Sequence, residues 1–309
     1  MKTRIAVIGV GHLGQHHARL LAAMPEVELV GVVDTDAARA STIAETYQTR
    51  AWPSLASLAG QVDAVIVATP TISHVEVARP FVEAGVAVLV EKPLADSLEA
   101  ADTLLALADQ HGALVACGHT ERFNPALDAA RPFIVSPRFV EIHRLGTFPE
   151  RSLDIDVVFD VMIHDLDLLL AVVGGAVTSI EAVGVHVLTP KTDIANVRLR
   201  FDNGCIANLT ASRISRDRVR KARFFQPQAY VSVDFAAPEA EVYRLVPKEG
   251  RPAIEGGRLD VPKDEPLRRE LADFVDAVRA GRPPRVTGRD GREALALATR
   301  VARAIDEQP

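Results

Sequence analysis

Apolar positions in the first 120 residues fall into short unbroken runs, separated by stretches in which they recur every three or four residues. The runs at 4–9, 27–34, 62–69, 86–91 and 113–118 have the length and β-branched content of strands buried on both faces, with a weaker run near Trp52. The stretches between them have the period of helices lying on a sheet. The clearest spans 96–111: Asp96 or Ser97 stands at its cap, Glu99 in its first turn, and Gly112 behind its last. A second, from 71 to 84, stops at Gly85. This alternation predicts an α/β domain over 1–120, a doubly wound parallel sheet of the Rossmann type.

After His119 the rhythm changes. Asn124 followed by Pro125 starts a short helix, and a strand follows at 138–145. Asp160 is read as the cap of an apolar helix that ends at Gly174-Gly175. Beyond it, strand patterns occupy 178–189, 195–201, 205–213, 221–226, 229–235 and 240–246, with Asp202-Asn203-Gly204 as a hairpin turn. Residues 247–264, rich in Pro, Gly and charge, read as a connector ahead of amphipathic helices at 266–280 and 289–306. The expectation for 121–309 is an α+β domain with a mostly antiparallel open sheet and helices.

Gly9-Val10-Gly11-His12-Leu13-Gly14 joins the first strand to the first helix, and an acid, Asp34, ends the second strand. Gly9 permits a tight turn, Gly11 lets backbone approach a pyrophosphate, and Gly14 lets the helix pack on the strand. His12 and Leu13 complete the turn at the helix N-terminus, where backbone N–H groups face an anion. Asp34 is placed to accept hydrogen bonds from the adenosine ribose and to repel a 2′-phosphate, which favours NAD over NADP. Arg39 nearby leaves room for some NADP, and the alternative for Asp34 is a helix cap, a role Thr35 could fill.

Composition narrows the field. An apolar fraction of 48%, a charged fraction of 25% and a net charge of −6 suit a globular enzyme and give nucleic acid no electrostatic support. Cys117 and Cys205 form no spaced motif and read as plain buried residues in a reducing, cytoplasmic setting. No apolar run has the length of a membrane span or the form of a cleaved leader.

Three residues invite catalytic readings. Lys92, in Glu91-Lys92-Pro93, stands at the carboxyl edge of the sheet, where its ammonium can stabilise an alkoxide; a solvated lysine paired with Glu91 is the plain alternative. Asp160 and His164 are four apart, so they share a helix face on which imidazole can take a hydroxyl proton and carboxylate can orient it. Equally, Asp160 is a cap and His164 a core histidine. No cluster has metal-ligand spacing, and no metal is assigned. His12, His16 and His17 read as helix surface and cofactor edge. The basic run from Arg213 to Arg223 reads as a solvated face, or as a contact for a diphosphate or a neighbouring subunit.

Together, the glycine turn, Glu91-Lys92-Pro93 and the Asp-x-x-x-His pair resemble the Gfo/Idh/MocA oxidoreductases over the whole chain. The resemblance implies NAD on the first domain, with Thr69-Pro70, His74, Glu91 and Lys92 lining it, and Lys92, Asp160 and His164 around the reacting carbinol. It also implies a second domain that binds substrate and assembles a homodimer or homotetramer. The stretches from Gly118 to Pro125 and from His143 to Ser152 look like members acting on UDP-N-acetylhexosamines at C3. By that likeness Arg122 and Asn124 would hold the nucleotide sugar, and Arg144 or Arg151 its phosphates. A free sugar or an inositol is the alternative substrate, and a dinucleotide sensor without turnover the alternative of another class. One departure stands out: where many members have a glycine pair before the catalytic aspartate and a glycine between it and the histidine, this chain reads Asp156-Val157-Val158-Phe159 and Met162, which is expected to narrow the pocket.

Overall fold

The computed structural model describes residues 1–148, 155–248 and 251–307. Two compact units make up the chain: Met1–Thr120 with Leu267–Leu295, and Glu121–Pro266 with the chain from Ala296 onward. The return of 267–295 to the first unit departs from a contiguous division at residue 120. Its cause is burial: Leu271, Phe274 and Val275 lie in one core with Ile5, Val7, Ile66 and Leu89.

In the first unit, β1 (Thr3–Ile8), α1 (Gly14–Ala23), β2 (Val27–Val33), α2 (Ala37–Thr46), β3 (Ala64–Val67), α3 (His74–Glu83), β4 (Ala87–Glu91), α4 (Leu98–His111) and β5 (Val115–Gly118) alternate as expected. The sheet runs β2-β1-β3-β4-β5, and every pairing is parallel. Residues near Trp52 add only an isolated bridge from Ala51 to Val32, because Pro53 has no N–H to extend a ladder. Strand order reverses between β1 and β3, so a crevice opens where their carboxyl ends diverge. Gly9 leaves β1 there, and Thr69-Pro70 leaves β3. Ser97 caps α4, its side chain accepting from Ala100 N at 3.2 Å, and Gly112 ends it in the left-handed region.

The second unit contains α5 (Pro125–Ala130), β6 (Phe139–Leu145), α6 (Ile163–Val173), β7 (Val177–Val185), β8 (Ile194–Phe201), β9 (Ile206–Ser212), β10 (Val219–Gln226), β11 (Ala229–Asp234), β12 (Glu239–Val246) and β13 (Ala253–Arg258). Its sheet runs β13-β12-β11-β10-β6-β9-β8-β7, and only β6 with β9 is parallel. The strand β13 falls inside the expected connector. It is held by backbone pairing to β12 and carries Gly256-Gly257, so no apolar alternation marks it. A second difference lies at residue 160: Val158–Met162 form a π turn ahead of α6, and Asp160 N is already bonded to Asp156 O at 3.1 Å. Asp160 is therefore inside the turn and is not the cap.

One face of this sheet is core, with Val140, Ile142, Val197, Leu199, Phe224, Val231 and Val242 buried. Across β6, β10, β11 and β12 the other face carries a ladder of rings, Phe139, Phe225, Tyr230 and Tyr243, with neighbouring centroids 5.2–6.4 Å apart. The chain closes with α7 (Pro266–Ala280) and α8 (Gly288–Asp306). Among the described residues no helix is long and apolar enough to cross a membrane. Both cysteines are buried.

Candidate active site

Each glycine of the first turn meets a different constraint. Gly9 has φ +82°, and a Cβ there would lie 2.7 Å from Ala68 O. At Gly14 a Cβ would run into Gly9 O. Gly11 is the opposite case, with no protein atom nearer to its missing Cβ than Arg39 Nη1 at 3.9 Å. Two glycines are thus demanded by packing, while the third leaves open space above the N-terminus of α1. The first turn of α1 carries no acid and no side-chain cap, and Leu13 beside it is 42% exposed. An anion seated there would meet unopposed helix N–H dipoles, which is the setting a pyrophosphate requires.

Asp34 braces this turn. Its Oδ2 accepts from Val10 N at 2.8 Å and its Oδ1 from Asp36 N at 2.9 Å, and Arg39 Nη1 stands 3.5 Å away. The cap of α2 is Asp36, which accepts from Ala38 N and Arg39 N at 3.1 Å, so neither Asp34 nor Thr35 fills that role.

The Glu91-Lys92-Pro93 segment is held from inside the unit. Glu91 is 5% exposed; its Oε1 lies 2.7 Å from His17 Nε2, and its Oε2 accepts from Lys92 N at 3.3 Å. Burial pushes the Glu91 pKa up, but the His17 hydrogen bond and nearby Lys92 outweigh it and hold the carboxyl below its ordinary value. His74 is 1% exposed, with Nδ1 2.9 Å from Pro93 O and Nε2 2.9 Å from Thr69 O. Burial lowers the His74 pKa against the pull of those two carbonyls. Glu91 and His74, expected to line a cofactor, are therefore interior braces whose polar atoms are spent on protein. Thr69 and Lys92 are half-buried, and Pro70 and His12 are exposed.

His17, expected on the helix surface, is instead interior: 14, 17, 18 and 21 form one face of α1, and all four are buried.

In the second unit Asp160 and His164 are both half-buried and a turn apart. Several residues of this unit expected to meet substrate are committed internally. Arg144 is buried; its Nε lies 3.0 Å from both oxygens of Asp165, its Nη2 2.7 Å from Asp165 Oδ1, and its Nη1 2.7 Å from Glu121 Oε1. This corrects the expectation that Arg144 reaches substrate phosphates, since its donors already face carboxylates. Asn124 is 2% exposed and caps α5, accepting from Ala126 N at 3.0 Å and donating to Phe235 O at 3.4 Å, so it too is structural. Arg122, with its side chain 13% exposed, pairs with Asp167 at 3.2 Å. Arg151 lies outside the described residues. Val157, Val158 and Met162 are at most 1% exposed, so their bulk goes into the core, while Asp156 and Phe159 beside them are half-buried.

The basic run is likewise divided. Arg213 is buried, its Nε donating to Asp193 Oδ1 at 2.8 Å and its Nη1 to Ile155 O at 2.6 Å. Lys221 pairs with Asp234 and Arg223 with Glu141. Among the described residues no group of three or more His, Cys, Asp or Glu side chains could hold a metal ion.

A family model described as "Oxidoreductase family, NAD-binding Rossmann fold" matches residues 3–119, and the GFO/IDH/MocA C-terminal domain matches 138–231. The chain belongs to the Gfo/Idh/MocA family. It is an NAD-binding oxidoreductase, and the open face of Gly11, the uncapped N-terminus of α1 and Asp34 fit that cofactor. Among Gfo/Idh/MocA relatives, UDP-N-acetylglucosamine 3-dehydrogenase of Acidithiobacillus ferrooxidans is 41% identical over 98% of this chain and 97% of its own. A crystal form of that enzyme superposes with a TM-score of 0.93, covering 99% of this chain and 98% of that one at 40% identity. Inositol 2-dehydrogenase of Rhizobium meliloti is 27% identical over 100% of this chain and 98% of its own.

Proposed function

We propose that this dehydrogenase oxidises the 3-hydroxyl of a UDP-N-acetylhexosamine. The carrying observation is the 41% identity, spread over 98% of the chain, to an enzyme named for that reaction on UDP-N-acetylglucosamine. NAD+ bound at the glycine turn supplies the hydride acceptor. The chain's own residues handle oxygen and proton: the Lys92 ammonium stabilises the alkoxide as hydride leaves, His164 accepts the hydroxyl proton, and Asp160 orients the imidazole or the sugar. In this reading Gly9, Gly11, His12, Leu13, Gly14, Asp34, Thr69 and Pro70 seat the cofactor. Residues 1–120 together with 267–295 form the nucleotide-binding part, and the rest of the chain serves substrate and assembly. Of the arginines proposed for the UDP-sugar, Arg122 retains some exposure, at 13% of its side chain.

The partly exposed ring ladder of the eight-stranded sheet, with Phe225 37% and Tyr243 40% exposed, supports a homo-oligomer built on that face. Light scattering of the purified chain would then give a mass of two or four copies, and a monomer at micromolar concentration would refute it.

The function is tested by following NADH absorbance with UDP-N-acetylglucosamine, UDP-N-acetylgalactosamine, free sugars and myo-inositol. Turnover confined to the UDP-sugars supports the reading; turnover on free polyols alone, or tight NAD binding with no turnover, overturns it. Lys92→Ala and His164→Ala should each lower kcat by ~10²–10⁴. NADH affinity should stay within about threefold, under ~0.7 kcal/mol.

A further inference from the structure

The glycine turn and the Lys92 segment are joined through the interior of the first unit. His17 lies three residues past Gly14 on the same helix and is fully buried, and its Nε2 stands 2.7 Å from Glu91 Oε1. Its Nδ1 is buried with no hydrogen-bond partner. A proton on Nδ1 would therefore be stranded, so the ring carries its proton on Nε2 and donates to Glu91. The second oxygen of Glu91 accepts from the backbone N–H of Lys92 at 3.3 Å. Gly118 packs flat against this carboxylate, and even a Cβ there would come within 3.0 Å of Oε2. Beyond Lys92, Pro93 O is fixed to His74.

We propose that His17 and Glu91 are positioning residues that couple cofactor seating to the placement of Lys92. Helix α1 begins at the dinucleotide turn, and an α-helix moves as a rigid rod over the single turn from Gly14 to His17. Whatever settles its N-terminus is passed through the imidazole to the Glu91 carboxylate, and from there to the backbone of Lys92. Without the His17 donor, a buried carboxylate loses its partner and must take up a proton or water. The Lys92 N–H then loses a fixed acceptor. The proposal rests on the reading of Lys92 as the group that acts on substrate, while its first link, from α1 to Glu91, concerns NAD binding alone.

The test compares NADH affinity, kcat and melting temperature in His17→Gln and His17→Phe. Glutamine keeps an N–H donor near the position of Nε2, so affinity and kcat should stay within about threefold of the parent, under ~0.7 kcal/mol. Phenylalanine fills the space without a donor, and it should weaken NADH binding and lower kcat together, each about tenfold or more, at a temperature where the protein is folded. A folded His17→Phe that only melts earlier, with parental affinity and kcat, overturns the proposal. So does a folded His17→Gln as impaired as His17→Phe. Where phenylalanine yields no folded protein, the parent decides: the His17 ring N–H resonance, assigned by its loss in His17→Gln, should shift as NADH is added, and an unmoved resonance overturns the coupling. Lys92→Ala separates the two readings. If it keeps turnover, the role of Lys92 fails while the effect of His17 on NADH affinity stands or falls by itself.

Discussion

Replacing Arg144 with methionine separates a structural arginine from a substrate-binding one. The guanidinium makes hydrogen bonds of 2.7–3.0 Å to Asp165 and one of 2.7 Å to Glu121. Their side chains are 6%, 1% and 14% exposed for Arg144, Asp165 and Glu121, so methionine leaves at least one carboxylate buried without a counter-charge. Breaking such a pair from one side costs ~3–5 kcal/mol, several times what an exposed pair contributes. At ~2–4 °C per kcal/mol for a unit of this size, the melting transition should fall by ~6–20 °C. Adding Asp165→Leu removes the stranded carboxylate and should recover more than half of the loss, because an apolar pair of similar volume is often as stable as a buried ion pair. Circular dichroism in denaturant measures both variants. The reasoning fails if Arg144→Met costs less than ~1 kcal/mol. It fails equally if the variant keeps parental stability and instead raises KM for the UDP-sugar while kcat holds, since that split marks lost substrate binding.

Gly11→Ala should leave stability within ~0.5 kcal/mol, because open space surrounds the added methyl, yet weaken NADH binding about tenfold or more; equal affinity would remove Gly11 from the cofactor site. Gly14→Ala should instead destabilise, since its methyl runs into Gly9 O, and a folded variant with parental melting temperature would contradict that packing. For His74, burial holds the folded pKa below the ordinary imidazole value of about 6.5, so the unfolded chain binds a proton that the folded chain does not. Stability from this group is whole above pH ~6.5 and declines as pH falls from there toward the folded pKa. Unfolding free energies at about pH 7.5 and 5.5 should differ more for the parent than for His74→Gln, and equal differences would refute the assignment.

Those predictions follow from where pattern and structure part. Parallel strands and their helices were legible because burial on both faces writes unbroken apolar runs, and the mostly antiparallel sheet because burial on one face writes alternation. A strand such as β13 leaves no such trace: backbone pairing to β12 holds it, and Ile254 beside Gly256-Gly257 is 75% exposed. The segment 267–295 was equally opaque, since an amphipathic helix states that it buries a face without stating against which core.

At the candidate site the distinction is finer. Motifs identify residues that a ligand-binding loop needs, but a side chain can serve the loop by facing the ligand or by holding the loop from behind. Spacing separates these on a helix, where His17 shares a face with Gly14, Ala18 and Leu21. It does not separate them at the last residue of a strand. Whether Glu91 turns to the crevice or the interior depends on its neighbour in β5, Gly118, whose missing side chain makes room for the carboxylate. Charge misleads in the same way in the second unit. Arginine beside a conspicuous motif suggests phosphate, yet Arg144 has carboxylates at positions 121 and 165 that only the pairing of β6 and the course of α6 bring to it. Sequence separations of 74 for His17–Glu91 and 21 for Arg144–Asp165 place both braces beyond any local pattern. A fold can thus be read from periodicity while the supports of its chemistry stay hidden, because those supports are long-range pairs of polar groups and each half alone looks like a ligand contact.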